Sequence, residues 1–315
     1  MSRQKKTSDL VVVIGASALD VVGRLQGKLQ MSTSNPALIR TSFGGVARNV
    51  AENLARLGQP VSLLSVIGKD RVGDDILAHA RTAGMDVSGV YATDKYPTGF
   101  YMGVLNENGV RQFAFDDMRI LDELTDAYLV YNEVLFEKAG MVFVDANLPE
   151  KALKKAFLLA HKYKVPVCAD PTSGTLAVRL KPYLRQIRLL VPNSIEAGIL
   201  TDHPFEAGDR DAALEAARAL VNLGVETACV TLAEYGLCYA TSETNGHIPA
   251  ISTKIGDPTG AGDALTAAVI YALMNQIEID DAARLGVSAA SLALRYVGTV
   301  YPELSLQKLY DELAL

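Results

Sequence analysis

The sequence predicts an α/β fold: a three-layer α/β/α sandwich with a mostly parallel central sheet and a small β-sheet lid. Three observations predict it. Short, continuously apolar runs have the length of buried strands, segments with one apolar stripe have the spacing of helices, and the two kinds alternate along the chain. Strands that alternate with helices favour parallel pairing, with helices on both faces of the sheet. With 315 residues, 49% of them hydrophobic and 21% charged, the chain is long enough for one large domain over residues 1–315.

The predicted strands of the central sheet are mostly apolar, and residues 11–14 form a continuous apolar run, as is typical of strands that are buried on both faces. They cover residues 11–14, 61–67, 141–144, 165–169, 187–191 and 227–231. The predicted helices carry apolar residues on one stripe, and Gly58 and Gly84 follow the first two of them. They cover residues 46–57, 71–83, 150–163, 209–223, 261–274 and 280–296.

Two stretches, residues 18–42 and 97–117, break this pattern because they alternate apolar with polar or small residues. Such alternation predicts strands with one solvent-facing side. The second stretch contains Asn106-Glu107-Asn108-Gly109 between two apolar runs, which is typical of a hairpin turn. We interpret the two stretches as a separate small sheet, a lid that is inserted before the main domain is complete.

Composition excludes several classes of function. The net charge is −6, which argues against nucleic acid, a polyanion, as a partner. No apolar run reaches the roughly 18 residues that span a bilayer, and the first ten residues lack the apolar stretch of a secretory signal. Cys168, Cys229 and Cys238 lie in apolar surroundings without metal-ligand spacing, so we expect free thiols. We therefore expect a cytoplasmic protein that acts on small molecules, without a membrane partner.

The most informative segment is residues 257–263, Asp-Pro-Thr-Gly-Ala-Gly-Asp, which leads directly into a predicted helix. Gly260 and Gly262 allow a tight bend, and the helix offers free N–H groups and the positive end of its dipole. Together they predict a cradle for an anion such as phosphate. Asp263 stands at its mouth, where a carboxylate can accept a proton from a hydroxyl that attacks phosphorus. The alternative is an aspartate that caps the helix after a glycine turn.

A second glycine pair, Gly44-Gly45, precedes the helix over residues 46–57 and would let a ligand approach the backbone closely. Asn49 lies about one turn into that helix, and its amide offers a donor and an acceptor to vicinal sugar hydroxyls. Asp20 follows the first strand, at the edge of the sheet where open α/β folds bind ligands. The alternatives are a strand-to-helix turn with a solvated asparagine, and an ordinary turn aspartate.

Polar residues also follow two later strands. Asn193 and Glu196 come just after residues 187–191, and both side chains can reach one pocket if a helix begins near Ser194. Glu196 would then lie near phosphates through a cation or a water molecule. The alternative is a capping pattern at the start of a helix. Thr231 places a hydroxyl at the end of the next strand, before a turn that contains Gly236.

These segments, in this order and at these separations, resemble the ribokinase-like carbohydrate and nucleoside kinases of the PfkB family over about residues 10–300. The resemblance implies a ribokinase-like fold with a β lid. It also implies ATP and Mg²⁺, and transfer of the γ-phosphoryl group to a sugar CH₂OH. The chain departs from the pattern at Ala233, where glycine is frequent in the family.

The resemblance further implies roles for the matching residues. Asp263 would be the catalytic base, and the backbone of Gly260, Ala261, Gly262 and Asp263 would form the anion hole. The sugar would be held by Asp20, Gly44, Gly45 and Asn49. The nucleotide would be served by Asn193, Glu196, Thr231 and Gly236, with Glu196 acting on Mg²⁺ through water. Asp257 and Thr259 match the part of the motif that holds a monovalent cation, such as K⁺, in many members.

Shorter segments resemble the pseudouridine kinases within this family, namely Ser34-Asn35-Pro36, Gly-Gly-Val-x-Arg-Asn at residues 44–49, Asp117-Met118, Asp145-x-Asn147-Leu148 and Asp170-Pro171-x-Ser173. They imply the 5′-hydroxyl of a nucleoside as acceptor, with Thr98 and Asp117 as contacts to the base or sugar. The alternatives are another sugar or nucleoside kinase of the family and a non-catalytic sugar-binding sensor on the same fold. A dehydrogenase is disfavoured, because the first strand ends without the three-glycine dinucleotide fingerprint. Lid edges often mediate dimers in the family, so we expect a homodimer through the lid.

Overall fold

The computed structural model describes residues 8–314. Its strands are β1 (Val11–Ile14), β2 (Ala18–Leu25), β3 (Ala37–Gly44), β4 (Val61–Leu64), β5 (Val66–Gly68), β6 (Tyr91–Thr93), β7 (Gly99–Leu105), β8 (Arg111–Asp117), β9 (Met141–Asp145), β10 (Val167–Asp170), β11 (Ile187–Leu190), β12 (Thr227–Thr231), β13 (Leu237–Ala240) and β14 (Asn245–Ile248). Its helices are α1 (Val46–Arg56), α2 (Arg71–Thr82), α3 (Asp126–Tyr131), α4 (Glu133–Lys138), α5 (Glu150–Tyr163), α6 (Gly174–Ala177), α7 (Ser194–Thr201), α8 (Arg210–Asn222), α9 (Ala261–Met274), α10 (Ile279–Arg295) and α11 (Leu306–Leu313). Short 3₁₀ segments cover Arg119–Glu123, Val178–Gln186 and Ala233–Tyr235.

The central sheet has eight strands in the order β14-β13-β12-β11-β10-β9-β1-β4. Neighbouring strands from β4 to β12 are parallel, and β13 and β14 continue the sheet as antiparallel strands. Successive residues of β1 enter two different cores: Val11 and Val13 pack with residues of α1, α9 and α10, whereas Val12 and Ile14 pack with residues of α5 and α8. Both faces of the sheet are therefore covered by helices, and the predicted three-layer sandwich is confirmed.

The second sheet, which we call the lid sheet, has four strands in the order β3-β2-β7-β8. β2 runs parallel to β7, while the β2–β3 and β7–β8 pairs are antiparallel. The hairpin between β7 and β8 turns at residues 106–109, where Oδ1 of Asn106 accepts hydrogen bonds from the N–H groups of Asn108 and Val110, both at 2.9 Å. The lid strands cover residues 18–44 and 99–117, in close agreement with the two stretches that alternate in sequence.

The strand predicted over residues 61–67 is instead two strands that divide at Ser65. The Ser65 hydroxyl donates to the carbonyl of Gly15 at 2.7 Å, and the Ser65 carbonyl accepts from the N–H of Tyr91 at 2.9 Å. The chain therefore leaves the central sheet after β4, and β5 pairs with β6 in a separate two-stranded sheet. The residue pattern alone does not show this division, because both strands are buried.

Among residues 8–314, no helix has both the length and the apolar character that crossing a membrane would require.

Candidate active site

A cavity of about 900 Å³ lies between the lid sheet and the carboxyl ends of the central strands. Its walls include Tyr101 and Phe113 of the lid sheet, together with Asn147, Thr172 and Asn193 from loops that follow β9, β10 and β11. Many of the residues predicted for the site line this cavity, namely Asp20, Gly45, Asn49, Asn193, Glu196, Asp257, Thr259, Gly260 and Asp263. The volume suits a ligand of nucleotide size, and the edge is the one where open α/β sheets bind ligands.

Asp263 is the third residue of α9 and faces the cavity. Its side chain does not cap the helix; Oδ2 accepts a hydrogen bond from Nδ2 of Asn49 at 2.7 Å. The capping alternative is therefore excluded. Burial raises the pKa of Asp263 to about 7, although the hydrogen bond from Asn49 and the charge of Arg48 act in the opposite direction. A carboxyl group with a pKa near neutrality is well matched to proton transfer at neutral pH.

The start of α9 forms an open backbone cradle beside Asp263. Gly260 precedes the helix with φ at +80°, and a Cβ there would lie 1.9 Å from the carbonyl oxygen of Thr299, so only glycine fits. A Cβ on Gly262 would meet nothing within 4 Å, which leaves this side of the first turn open. Ala261 begins the helix, so the first N–H groups have no acceptor within it. These groups and the helix dipole suit an anion.

The Gly44-Gly45 pair makes room for Asp20 and for the entry into α1. A Cβ on Gly44 would lie 2.0 Å from Oδ1 of Asp20, so Gly44 acts by leaving that carboxyl its space and does not itself line the cavity. Gly45 precedes α1 with φ at +91°, and a Cβ there would lie 2.3 Å from the carbonyl oxygen of Ala16. Both glycines therefore have a packing reason that the sequence pattern alone could not distinguish from ligand approach.

Several carboxyl groups converge on this edge of the sheet. Burial raises the pKa of Asp20 to about 7, with the nearby Asp263 and Asp257 adding to the effect and Arg48 opposing it. Burial also raises the pKa of Asp170, which is further raised by the charges of Glu196 and Asp263. A cation bound among these groups would relieve their desolvation and repulsion. In the described part of the chain no three such side chains form a ready-made metal centre, so a metal would need ligands from a bound phosphate as well.

Asn193 and Glu196 form the capping box of α7 and line the cavity at the same time. Oδ1 of Asn193 accepts from the N–H of Glu196 at 3.0 Å, and Oε2 of Glu196 accepts from the N–H of Asn193 at 2.9 Å. The capping alternative is thus correct, and it does not exclude a ligand role because both residues reach the cavity. Burial raises the pKa of Glu196, while its hydrogen bonds with Asn193 lower it.

Thr231 and Gly236 lie beside this box but not on the cavity wall. The N–H of Thr231 donates to the carbonyl of Pro192 at 2.9 Å, which joins the end of β12 to the loop that carries Asn193. Gly236 has φ at +98°, and a Cβ there would lie 2.1 Å from the carbonyl oxygen of Ile248. Between them, Ala233 adopts φ of +51°, a conformation that favours glycine. Ala233, which stands where glycine is frequent in the family pattern, is therefore a strained residue.

Asp257 and Thr259 line the cavity, and Asp257 contacts the lid sheet. Oδ1 of Asp257 accepts from the N–H of Thr259 at 3.0 Å, and Oδ2 forms an ion pair of 3.2 Å with Arg40 of β3. The sequence motif predicted a monovalent cation next to this carboxylate. In the structure a guanidinium group from the lid sheet supplies positive charge there.

Two predicted substrate contacts are engaged elsewhere. The buried Thr98 hydroxyl donates to Oδ1 of Asp70 at 2.7 Å and accepts from the N–H of Gly68 at 3.0 Å, which fixes the start of α2. Asp117 forms two hydrogen bonds with Arg119, at 2.8 and 2.6 Å, where β8 ends. Neither residue lines the cavity and both have partners within the protein, so their contact with a substrate stays a prediction.

Other cavity residues were not predicted as site residues. The lid sheet contributes Tyr101, Arg111, Gln112, Phe113 and Asp116. Their signal in the sequence is weak, because polar alternation on a lid strand looks the same whether the polar face meets solvent or ligand. Asn147, two residues beyond β9, had the stronger signal of a polar residue at a strand end.

The model of the pfkB family carbohydrate kinases matches residues 8–305. The chain is 30% identical to the pseudouridine kinase of Escherichia coli K12, over 96% of this chain and 95% of that protein. It is 27% identical to the guanosine-inosine kinase of Exiguobacterium acetylicum, over 89% of this chain and 93% of that protein. The structure of Arabidopsis thaliana ribokinase in complex with ribose and ATP aligns with a TM-score of 0.82 at 22% identity, over 98% of this chain and 99% of that one. The fold is therefore ribokinase-like.

Proposed function

The chain belongs to the pfkB family of carbohydrate kinases, and on that premise we propose that it phosphorylates the 5′-hydroxyl of a nucleoside, pseudouridine, with ATP as the phosphoryl donor. One observation carries the proposal. Asp263, hydrogen-bonded to Asn49, faces the cavity beside the open N-terminus of α9. A proton acceptor next to an anion cradle is the arrangement that transfer of a phosphoryl group to an alcohol needs.

The chemistry follows from the residues of this site. Asp263 takes the proton of the acceptor hydroxyl as its oxygen bonds to the γ-phosphorus. The bond from that phosphorus to the β–γ bridging oxygen breaks, and ADP leaves with the electron pair. The N–H groups around Gly262 stabilise the charge on the transferred group. The lid sheet forms one wall of the cavity and limits water, which would compete as the nucleophile.

The remaining groups at this edge suit the donor. The converging carboxyl groups, Glu196 among them, fit a divalent cation shared with the phosphates, since Mg²⁺ takes few protein ligands and keeps several water molecules. Bound there, Mg²⁺ would neutralise negative charge on the phosphates. Asp257 and Thr259 are the residues that would hold K⁺, and Arg40 is placed to take part in the same charge balance.

The choice of pseudouridine is supported by the similarity to the pseudouridine kinase of Escherichia coli, which extends over nearly the full length of both chains. The choice of a nucleoside over a free sugar is supported by the size of the cavity and by its aromatic and amide side chains, including Tyr101, Gln112 and Phe113, against which a base can lie. The relative that is a guanosine-inosine kinase makes a purine nucleoside the acceptor to be tested beside it.

A coupled assay of ADP release tests the proposal with pseudouridine, uridine, inosine, ribose and fructose as acceptors. We expect the highest kcat/KM with pseudouridine and none above background for Asp263→Asn. Faster turnover of another acceptor would refute pseudouridine as the preferred acceptor but would support the kinase activity. Absence of acceptor-dependent ADP release from the wild-type protein would refute the function as a whole.

We also propose a homodimer through the lid sheet. Ile39 of β3 and Phe115 of β8 lie on its edge strands and are 70% and 62% exposed. Exposed apolar side chains on edge strands are suited to pairing with a second copy. Light scattering during gel filtration should give twice the chain mass for the wild type and the single mass for Ile39→Glu; a single mass for both would refute the dimer.

A further inference from the structure

We infer that Arg48 is a positioning residue for the phosphoryl transfer: it holds the Asn49 side chain in the orientation that directs Nδ2 toward Asp263. This inference rests on the proposed function of Asp263. Arg48 itself does not line the main cavity, and its side chain is almost completely buried, at 1% exposure. Burying a guanidinium is costly unless its donors are satisfied, so its partners show what it is there to hold.

The partners of Arg48 come from several of the segments that frame the proposed acceptor side of the site. Its guanidinium donates to Oδ1 of Asn49, to the carbonyls of Phe43 and Gly44, and to Oγ1 of Thr299. The last two distances are 3.0 and 3.1 Å. A single group thus joins the end of β3, the glycine pair, α1 and the loop beyond α10. Because Oγ1 of Thr299 also donates to the Phe43 carbonyl, the lid strand is held to this loop as well.

The orientation of the Asn49 amide follows from hydrogen-bond chemistry. A guanidinium has donors only, so the oxygen of the amide must face Arg48. The nitrogen then points the other way and donates to Oδ2 of Asp263 at 2.7 Å. With the amide reversed, Oδ1 would face the carboxylate and two acceptors would oppose each other. Arg48 and the Asp263 carboxylate therefore favour the same orientation of the amide, and Arg48 still favours it when Asp263 is protonated and can itself donate.

Arg48 is itself fixed by an ion-pair cluster one turn further along α1. Glu52 is buried and bonds to Arg48, to Arg56 and to His79. Burial would raise the pKa of Glu52, but the hydrogen bond from His79, the charge of Arg48 and the hydrogen bond from Arg56 outweigh it and hold this pKa at about 2. Glu52 is therefore a permanent anion that holds Arg48 in place. Arg56 shares this anion but does not touch Asn49, which makes it a matched control.

The charge of Arg48 also acts on Asp263 directly. The charged groups that face Asp263 are Arg48 of α1, Asp145 of β9, Asp20 of β2 and Asp170 of β10. Arg48 is the cation among these four, and it lowers the pKa of Asp263 whereas Asp145 raises it. Removing the charge should therefore move the acid limb of the pH–rate profile to higher pH. A role confined to stability would not move this limb.

The kinetic test compares Arg48→Gln, Arg48→Lys and Arg56→Gln, with the acceptor that wild type uses best. We expect Arg48→Gln to lower kcat by about 10–100-fold, the cost of a misplaced catalytic group, and to move the acid limb to higher pH. Arg48→Lys, which keeps the charge but not the fork of donors, should lose kcat with the acid limb near that of wild type. Arg56→Gln should keep both. Wild-type kcat in Arg48→Gln, or an equal loss in Arg56→Gln, would overturn the inference.

A second measurement needs no activity and so separates this inference from the proposed function. In a double-mutant cycle at pH 8, Arg48→Gln should lower the melting temperature more in the wild-type background than in Asp263→Asn, because the carboxylate is then absent. Arg56→Gln should lower it equally in both. Equal effects of Arg48→Gln would refute the link to Asp263, even if the protein phosphorylates pseudouridine. Coupling in a protein without kinase activity would leave the link standing and refute the function.

Discussion

Asp263→Asn should make the ligand-free protein more stable at neutral and alkaline pH while it slows turnover. The reason is that the carboxyl group lies in a place that disfavours its charged form. The folded protein binds the Asp263 proton more tightly than the unfolded chain, since burial raises its pKa from 3.8 to about 7. Stability is therefore lost as the pH rises between about 4 and 7, and the loss is complete above that range. Asparagine keeps the shape and an acceptor for Asn49 without the charge.

The magnitude follows from the size of the pKa difference. A rise from 3.8 to about 7, at about 1.4 kcal/mol per unit, sets an upper bound of roughly 4 kcal/mol. Asp263 is only half-buried, so solvent screens part of this cost, and we expect about 1–3 kcal/mol at pH 8. Near pH 4 the folded carboxyl is protonated and the unfolded one, with its usual pKa of 3.8, is about half ionised, so the two proteins should differ by less than about 1 kcal/mol. The catalytic loss should be about 10²–10⁴-fold in kcat, the usual contribution of a general base.

Urea unfolding at pH 4.5 and pH 8, followed by circular dichroism, measures the free energy of unfolding of the wild type and of Asp263→Asn at each pH. Asp70→Asn is the matched control with the opposite sign. Burial there is outweighed by hydrogen bonds from Thr98 and Gly73, which lower the pKa of Asp70, so this variant should be less stable at pH 8. If Asp263→Asn is no more stable than wild type at pH 8, or gains as much at pH 4.5, the carboxylate is not destabilised and the argument for its basicity fails.

Three further predictions concern the acceptor side, the anion cradle and the loop after β12. Asn49→Ala should raise KM for the acceptor more than KM for ATP in steady-state assays, and equal effects would count against its sugar contact. Gly260→Ala should destabilise the fold by about 3 kcal/mol or more, because its Cβ would strike the Thr299 carbonyl, whereas Gly262→Ala should keep its melting temperature and lose turnover; equal melting temperatures would contradict this. Ala233→Gly should leave stability unchanged or raise it by up to about 1 kcal/mol, because relief of the left-handed conformation offsets the entropy of glycine, and a clear fall in melting temperature would be the contrary result.

The sequence predicted the central sheet well because its signals are local. An apolar run such as residues 11–14 is long enough only for a strand, and the glycine-rich turn before α9 announces a helix by its own chemistry. Asp263 was predicted in the same way, since a carboxylate beside a glycine-rich anion loop is unusual and a role in proton transfer explains it. The three-residue spacing of Asn193 and Glu196 predicted either a pocket or a helix cap. The structure shows that they cap a helix on the cavity wall.

Contacts between distant segments could not be predicted. Thr98 was assigned to the substrate because it precedes a lid strand, but its partner Asp70 is set by how the chain packs before that strand. Asp117 was assigned because it follows the lid hairpin, and its partner Arg119 is instead local, two residues further along the chain. The prediction of one strand over residues 61–67 was wrong because its division depends on hydrogen bonds to the distant residues Gly15 and Tyr91. A pattern of residue types does not show which of two neighbouring segments a buried strand or side chain will contact in the folded protein.

The site depends on one helix interface more than on any single motif. The proposed acceptor side belongs to α1 and the proposed base and cradle belong to α9, and these helices share a core that contains Ala47, Ala51, Ala264 and Ala268. Small side chains let two helices approach closely, and closeness is what brings Nδ2 of Asn49 within 2.7 Å of Asp263. A shift of 1 Å would break this hydrogen bond without changing either motif. The proposed chemistry therefore needs both motifs of the sequence, and it also needs the contact between the two helices that carry them.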